Sequence, residues 1–140
     1  MQIDKFTFPE ELYYDKEHGW ARVKGNIVIQ GMTDYGQNLA GEIIYTEAPR
    51  AGRTVEQGKP FMSMESGKWV GRIKAIVSGK IIEANEELEA DSALINQSPY
   101  ENGWFVKIEA TNLQAELKNL MKATDPAYAA YVKAEMAKYA

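Results

Sequence analysis

From Trp20 the chain alternates polar and apolar positions, Trp20-Ala21-Arg22-Val23. It turns at Lys24-Gly25-Asn26 and then runs β-branched through Ile27-Val28-Ile29-Gln30. Side chains in a strand point alternately to opposite faces, so this pattern predicts a β-hairpin. Leu12, Tyr13 and Tyr14 predict a short first strand before it. Thr33 predicts the cap of a short helix over Asp34 to Leu39, with Asp34 favourable in its first turn, and Gly41 predicts its stop. Ile43-Ile44-Tyr45-Thr46 reads as a further strand ended by Pro49. Gly52 to Lys59 reads as a turn-rich connector with Val55 as its inward anchor.

Pro60 to Met64 leads into the stretch Met64-Glu65-Ser66-Gly67-Lys68-Trp69-Val70-Gly71-Arg72, and strand-like residues leave it through Val70 and Ile73 to Val77. The pattern predicts a hairpin with Gly67 in the left-handed conformation at its turn and Lys68 at its tip. On spacing alone, such a lysine reads as a solvated surface charge. Ser78-Gly79 predicts another turn, Lys80 to Ala84 a strand, and Asn85 to Asp91 an exposed acidic stretch. Ser92 is expected to cap a helical turn over Ala93 to Asn96. A loop from Ser98 to Gly103 precedes a final strand, Trp104 to Ile108.

The period then changes. Leu113, Leu117, Leu120 and Met121 predict a helix with one apolar face, opened by a capping box of Thr111 and Gln114. Asp125-Pro126 predicts the start of a second helix. Its Tyr128, Tyr131, Val132, Met136 and Tyr139 suit either a face packed on the rest of the chain or a partner-docking surface. Many short strands followed by helices predict a small β-barrel or sandwich, residues 1–111, with appended helices over 112–140.

Composition narrows the function classes. The chain has 140 residues, 45% hydrophobic and 26% charged, which suits one packed domain. A net charge of −4 weighs against a general nucleic-acid binder, even with Trp20, Trp69 and Trp104 as conceivable stacking platforms. No apolar run is long enough to span a bilayer, and the amino end lacks the order of a secretion signal, so a cytoplasmic protein is expected. The absence of cysteine excludes disulfides and thiolate metal sites. The single histidine, His18, excludes a multi-histidine metal site and reads as a surface or turn residue. No catalytic residue is predicted.

The motifs resemble the H-protein family, the lipoyl carriers of the glycine cleavage system. The resemblance runs from about Tyr14 to Thr111. It covers His18-Gly19-Trp20, Gly31-Met32-Thr33-Asp34-Tyr35, Ala40-Gly41-Glu42-Ile43, Glu65-Ser66-Gly67-Lys68, Val77-Ser78-Gly79, Ala93-Leu94-Ile95-Asn96, Ser98-Pro99-Tyr100 and Gly103-Trp104. It implies a mainly β, lipoyl-type barrel-sandwich hybrid of short strands with flanking helices. It also implies that Lys68 is joined by an amide bond to lipoate. Biotin carriers share the fold but flank their lysine with methionines, and here the neighbours are Gly67 and Trp69. Acylation removes the lysine charge, and the lipoyl group itself carries the chemistry. Ser66 is expected to shape the turn. Glu65 is expected either to be recognised by a lipoate ligase or lipoyltransferase or to be a plain solvated carboxylate.

Glycine-cleavage H proteins commonly read Glu-Ser-Val-Lys-Ala-(Ala or Val)-Ser-Asp at this turn. This chain departs at Gly67, Trp69, Gly71 and Arg72. Trp69 suits contact with the arm or a partner, or packing on the barrel. In this cluster of departures the chain is similar to the lipoate-binding proteins of heterodisulfide-reductase-like sulfur oxidation. That similarity implies carriage of sulfur intermediates among sulfur-transfer proteins and a heterodisulfide-reductase-like complex. The alternative is the glycine cleavage role, shuttling an aminomethyl group between decarboxylase and aminomethyltransferase.

Overall fold

The computed structural model describes residues 1–47 and 49–139. Ala48 and Ala140, which belong to the two expected segments, lie outside the described residues. The elements in chain order are β1 (Gln2–Ile3), β2 (Phe6–Thr7), β3 (Tyr13–Tyr14), β4 (Gly19–Lys24), β5 (Ile27–Met32), α1 (Asp34–Ala40), β6 (Ile43–Glu47), β7 (Thr54–Val55), β8 (Pro60–Ser66) and β9 (Val70–Lys74). They continue with β10 (Gly79–Ala84), α2 (Glu87–Ala90), α3 (Leu94–Gln97), β11 (Val106–Ala110), α4 (Leu113–Leu117), β12 (Met121–Lys122) and α5 (Pro126–Lys138). A seven-stranded sheet runs β12-β3-β4-β5-β11-β10-β7, a three-stranded sheet runs β6-β8-β9, and β1 pairs with β2. The mainly β sandwich expected from the strand pattern is the observed architecture.

The alternation read in β4 and β5 does bury one face. Ala21 and Val28 meet Val106, Ile108 and Ile81 from the large sheet, and Ile43, Phe61, Met62 and Met64 from the small one. Gln30 is the polar bolt across this core. Its Nε2 donates to the Lys74 carbonyl at 2.9 Å and its Oε1 accepts from the Ile76 N–H at 3.0 Å, so a buried amide is satisfied at both ends.

A second apolar cluster gathers Phe8, Leu12, Tyr14, Trp20 and Tyr35 with Tyr128 and Val132 of α5. Tyr14 and Tyr128 stack with centroids 4.7 Å apart, and Phe8 meets Tyr128 edge-on at 5.7 Å. The tyrosine stripe of α5 therefore packs on its own chain, except for the exposed Tyr139 at its end. Trp20 is fully buried and donates to the carbonyls of Met32 and Pro99, which removes it as a stacking platform.

Several local expectations are corrected. Two short strands, β1 and β2, precede the expected first one. The helix expected from Leu113 to Met121 ends at Leu117, and no side chain caps it. Met121 and Lys122 instead form β12, pairing with Tyr14 and Tyr13. Leu113 enters the main core and Leu117 and Leu120 pack against it, while Met121 belongs to the second cluster, so the apolar spacing served two cores rather than one helical face. The segment 112–140 thus adds a strand as well as helices. Ser92 does not cap α3; its Oγ donates to the Leu88 carbonyl and accepts from Thr46. Within the acidic stretch, Asn85 and Leu88 are buried. Among the described residues no helix is long and apolar enough to cross a membrane.

Candidate functional site

The β8–β9 hairpin pairs Ser63 with Arg72, Met64 with Gly71 and Glu65 with Val70, leaving Lys68 exposed at its tip. Ser66 shapes the turn, as expected. Its N–H donates to the Trp69 carbonyl at 2.7 Å, and its Oγ accepts from the Lys68 N–H at 3.3 Å. The same hydroxyl donates to the Ala40 carbonyl at 2.6 Å, which ties the tip to the end of α1. Gly67 does not adopt a left-handed conformation, contrary to the sequence expectation. The serine hydroxyl supplies the local hydrogen bond that a tight glycine turn would otherwise need.

The left-handed glycine of this site is Gly41, with φ 86°, directly after α1. Thr33 caps the other end of α1, its Oγ1 accepting from the Gly36 N–H at 3.0 Å. The Lys68 stem lies along Gly41: a Cβ there would stand 2.9 Å from Lys68 Cε. Asn96 of α3 holds the backbone around Gly41, its Nδ2 donating to the Gly41 carbonyl at 2.9 Å and its Oδ1 accepting from the Ile43 N–H at 2.8 Å. Sequence reasoning quoted Asn96 within a motif but gave it no role. Lys68 makes no ion pair among the described residues, whereas nearby Lys74 pairs with Glu17 at 2.9 Å.

Trp69 and Arg72 both line the cavity beside Lys68 but differ in burial. The Trp69 indole rests against Gly71 and packs partly on the main core. Arg72 is exposed at the sheet edge, in the cross-strand row of Ser63 and Glu47, and makes no ion pair among the described residues. Glu65 is half-buried between Tyr45 and Val70 of its own row.

Beside the hairpin lies a cavity of about 560 Å³, lined by Lys68, Trp69, Arg72, Ile73, Leu39 and Phe105 together with His18, Tyr131 and Glu135. His18 occupies a turn, with φ 64°, but its ring is directed inward rather than to the surface. Its Nε2 lies 3.0 Å from Glu135 Oε1, latching α5 to the start of β4. Tyr131 adds a hydrogen bond from its hydroxyl to the Lys16 carbonyl at 2.7 Å. Burial, reinforced by the Glu135 charge, pushes the Tyr131 hydroxyl well above its ordinary pKa, so it remains a donor. At the cavity edge Asp15 accepts from the Gly19 and Glu17 N–H groups at 2.7 and 2.9 Å, while burial raises its carboxyl above the usual range. The pairing of His18 with Glu135 spans the chain and had no sequence signal in one segment.

An exposed lysine with no ion-pair partner, a turn fixed from below and an adjacent, partly apolar cavity form a fitting base for an amide-linked chain ending in a dithiolane. The glycine cleavage H-protein family model matches residues 12–135. The chain is 44% identical over 115 residues to a glycine cleavage system H protein of Staphylococcus saprophyticus, covering 82% of this chain and 90% of that one. It is 43% identical over 134 residues to a probable glycine cleavage system H protein of Pyrococcus furiosus, covering 95% and 98%. The crystal structure of a glycine cleavage system H protein from Mycobacterium marinum superposes with a TM-score of 0.76 at 28% identity, over 84% of this chain and 94% of that one. These relatives lend no support to the expected link with sulfur oxidation. With fold, hairpin and sequence in agreement, the chain belongs to the glycine cleavage H-protein family, non-catalytic carriers that hold lipoate covalently on a lysine.

Proposed function

We propose that Lys68 is the lipoylated residue and that the protein serves glycine cleavage. The observation that carries this reading is the placement of Lys68: exposed, at the hairpin tip, with its base fixed by the Ser66 hydroxyl on the end of α1. The lipoyl group, once attached, supplies a dithiolane able to carry an aminomethyl group from a pyridoxal-phosphate decarboxylase to a folate-dependent transferase, before reoxidation by a flavin enzyme. The chain's own residues position it. Ser66 and Gly41 set the direction in which the stem leaves the barrel, and Trp69 with Ile73 offers apolar surface beside it. Tethering to a rigid base raises the effective concentration of the arm at each partner without tight binding. Glu65, Gly67 and Arg72 complete the turn that a lipoate ligase or lipoyltransferase meets.

Reconstitution tests the assignment. Lipoylated protein added to the glycine decarboxylase, transferase and flavin enzyme is expected to support glycine-dependent release of carbon dioxide, and Lys68→Ala is expected to support none. Lipoylated wild-type protein that sustains no turnover would overturn it. Service to a sulfur-oxidising complex is a second reading, favoured by Trp69, Gly71 and Arg72 together, since all three depart from the common glycine-cleavage turn. Sulfur transfer to the reduced arm with no glycine turnover would establish it instead.

A further inference from the structure

The cavity runs from Lys68 along β9, an edge strand of the small sheet, to the loop before β4 and to α5. Its carboxylates gather at the far end, and each is engaged. Asp15 accepts from the Gly19 and Glu17 N–H groups, Glu17 pairs with Lys74 at 2.9 Å, and Glu135 meets His18 at 3.0 Å. Burial also raises the Asp15 carboxyl above its usual range, which lessens its negative charge. Lys16 stands exposed in that same loop, and Tyr131 and Tyr139 face it from α5. Arg72 is the cation on the hairpin wall. It makes no ion pair among the described residues. Two more carboxylates share the outward side of the small sheet with it, Glu47 two strands across in the same row and Glu65 one row nearer the tip. Neither comes within ion-pair distance of Arg72, and solvent screens both. Trp69, Ile73, Leu39 and Phe105 give the space an apolar lining, which strengthens a charge interaction inside it.

We propose that Arg72 holds the reduced arm as a thiolate, its guanidinium taking the sulfur anion of the dihydrolipoyl group when the arm lies along β9. This rests on Lys68 being the lipoylated residue. Four residues lead from Lys68 to Arg72, at most about 13 Å at about 3.3 Å per strand residue. The lysine methylenes, the amide and the acyl chain of lipoate cover that span end to end, so a sulfur can meet the guanidinium without movement of the hairpin. Charge then selects among the states of the arm. The ring disulfide is neutral and gains nothing from a cation. An end bearing an aminomethyl group is itself cationic and is repelled. The dithiol alone gains, because a nearby opposite charge favours the ionised form of an acid. Thiolate is also the form that attacks a disulfide, so Arg72 keeps the reduced arm reactive near neutral pH.

The step moves one proton and no electrons between molecules. An S–H bond of the dihydrolipoyl group breaks, the proton passes to solvent, and the bonding pair stays on the sulfur that faces the guanidinium. The second thiol is unchanged.

The chain has no cysteine, so the only thiols of the lipoylated protein are those of the arm. The test is the pH dependence of their alkylation by iodoacetamide in the full chain, lipoylated, reduced and freed of reductant, with adducts counted by intact mass. The first of the two thiol midpoints is expected about one pH unit lower in wild type than in Arg72→Gln. Alkylation near neutral pH is expected to be about threefold faster in wild type, less than the tenfold the midpoint alone gives, because nucleophilicity falls with pKa. Arg72→Lys should restore most of the difference, and added salt should shrink it. Lys80→Gln removes one exposed charge on β10 outside the cavity and is the control, expected to titrate as wild type. Thermal unfolding verifies that each variant is folded. Equal midpoints in wild type and Arg72→Gln overturn the proposal. So does an equal rise in Lys80→Gln, which would make the effect one of net charge rather than of a site. If folded wild-type protein accepts no lipoyl group at Lys68 from a lipoate–protein ligase with lipoate and ATP, the underlying reading falls, and the proposal with it.

Discussion

The indole of Trp69 lies so close to Gly71 that a Cβ added at 71 would overlap its Cε2, Cζ2 and Cη2 atoms. Two of the four departures from the common H-protein turn are therefore one unit: the large ring at 69 requires the missing side chain at 71. Gly71→Ser is expected to destabilise the protein by about 1–3 kcal/mol, through displacement of the ring, and to shift its tryptophan emission. In a Trp69→Ala background the same change should cost under about 0.5 kcal/mol. Urea unfolding of the double-mutant cycle measures the coupling, and additive effects would refute it.

The two glycines nearest Lys68 should respond in opposite ways. Gly67 has no left-handed backbone, and a Cβ there meets nothing within 4 Å, so Gly67→Val is expected to change stability by less than about 0.5 kcal/mol. Gly41 has φ 86° and ψ −174° and lies under the Lys68 stem, so Gly41→Ala should cost about 1–3 kcal/mol. Thermal unfolding of both variants side by side checks the contrast.

Ser66→Ala removes the bond to the Ala40 carbonyl and the acceptor for the Lys68 N–H. With Ser66 buried, a loss of about 1–2 kcal/mol is expected. Lipoylation of Lys68 should slow several-fold in the same variant, because the tip is no longer tied to α1. A variant as stable and as readily lipoylated as wild type would show that the serine does not organise the turn.

Asp15 gives a pH signature. Burial raises its carboxyl in the folded state, so the folded protein holds that proton after the unfolded chain has released it. This group's contribution to stability is thus greatest in acid and is lost as pH rises from the ordinary carboxylate range to the raised folded value. Asp15→Asn should flatten that part of the stability–pH curve and leave the protein at least as stable at neutral pH. Denaturant unfolding across the acid range reads the slope, and an unchanged slope would contradict it.

Local rules carried the reading of β4, β5 and α1: alternation, a glycine turn at Gly25 with φ 62°, and the Thr33 cap each act within a few residues. The Glu65-Ser66-Gly67-Lys68 stretch was legible for the same reason. The contacts that make it a site were not. Ser66 meets Ala40 across 26 residues, Asn96 meets Gly41 across 55, and His18 meets Glu135 across 117. Periodicity failed where one spacing fed two cores, at Leu113 to Met121. It also failed at Gly67, where a side-chain hydroxyl rather than a positive φ makes the turn.

The central claim is the amide bond at Lys68, and peptide mapping by mass spectrometry of protein isolated from its native cells tests it most directly. Trypsin does not cut after an acylated lysine, so the account predicts a peptide running uncut through Lys68 and heavier by one lipoyl group. Cleavage after an unmodified Lys68 throughout the sample, or a lipoyl group on another lysine, would contradict it.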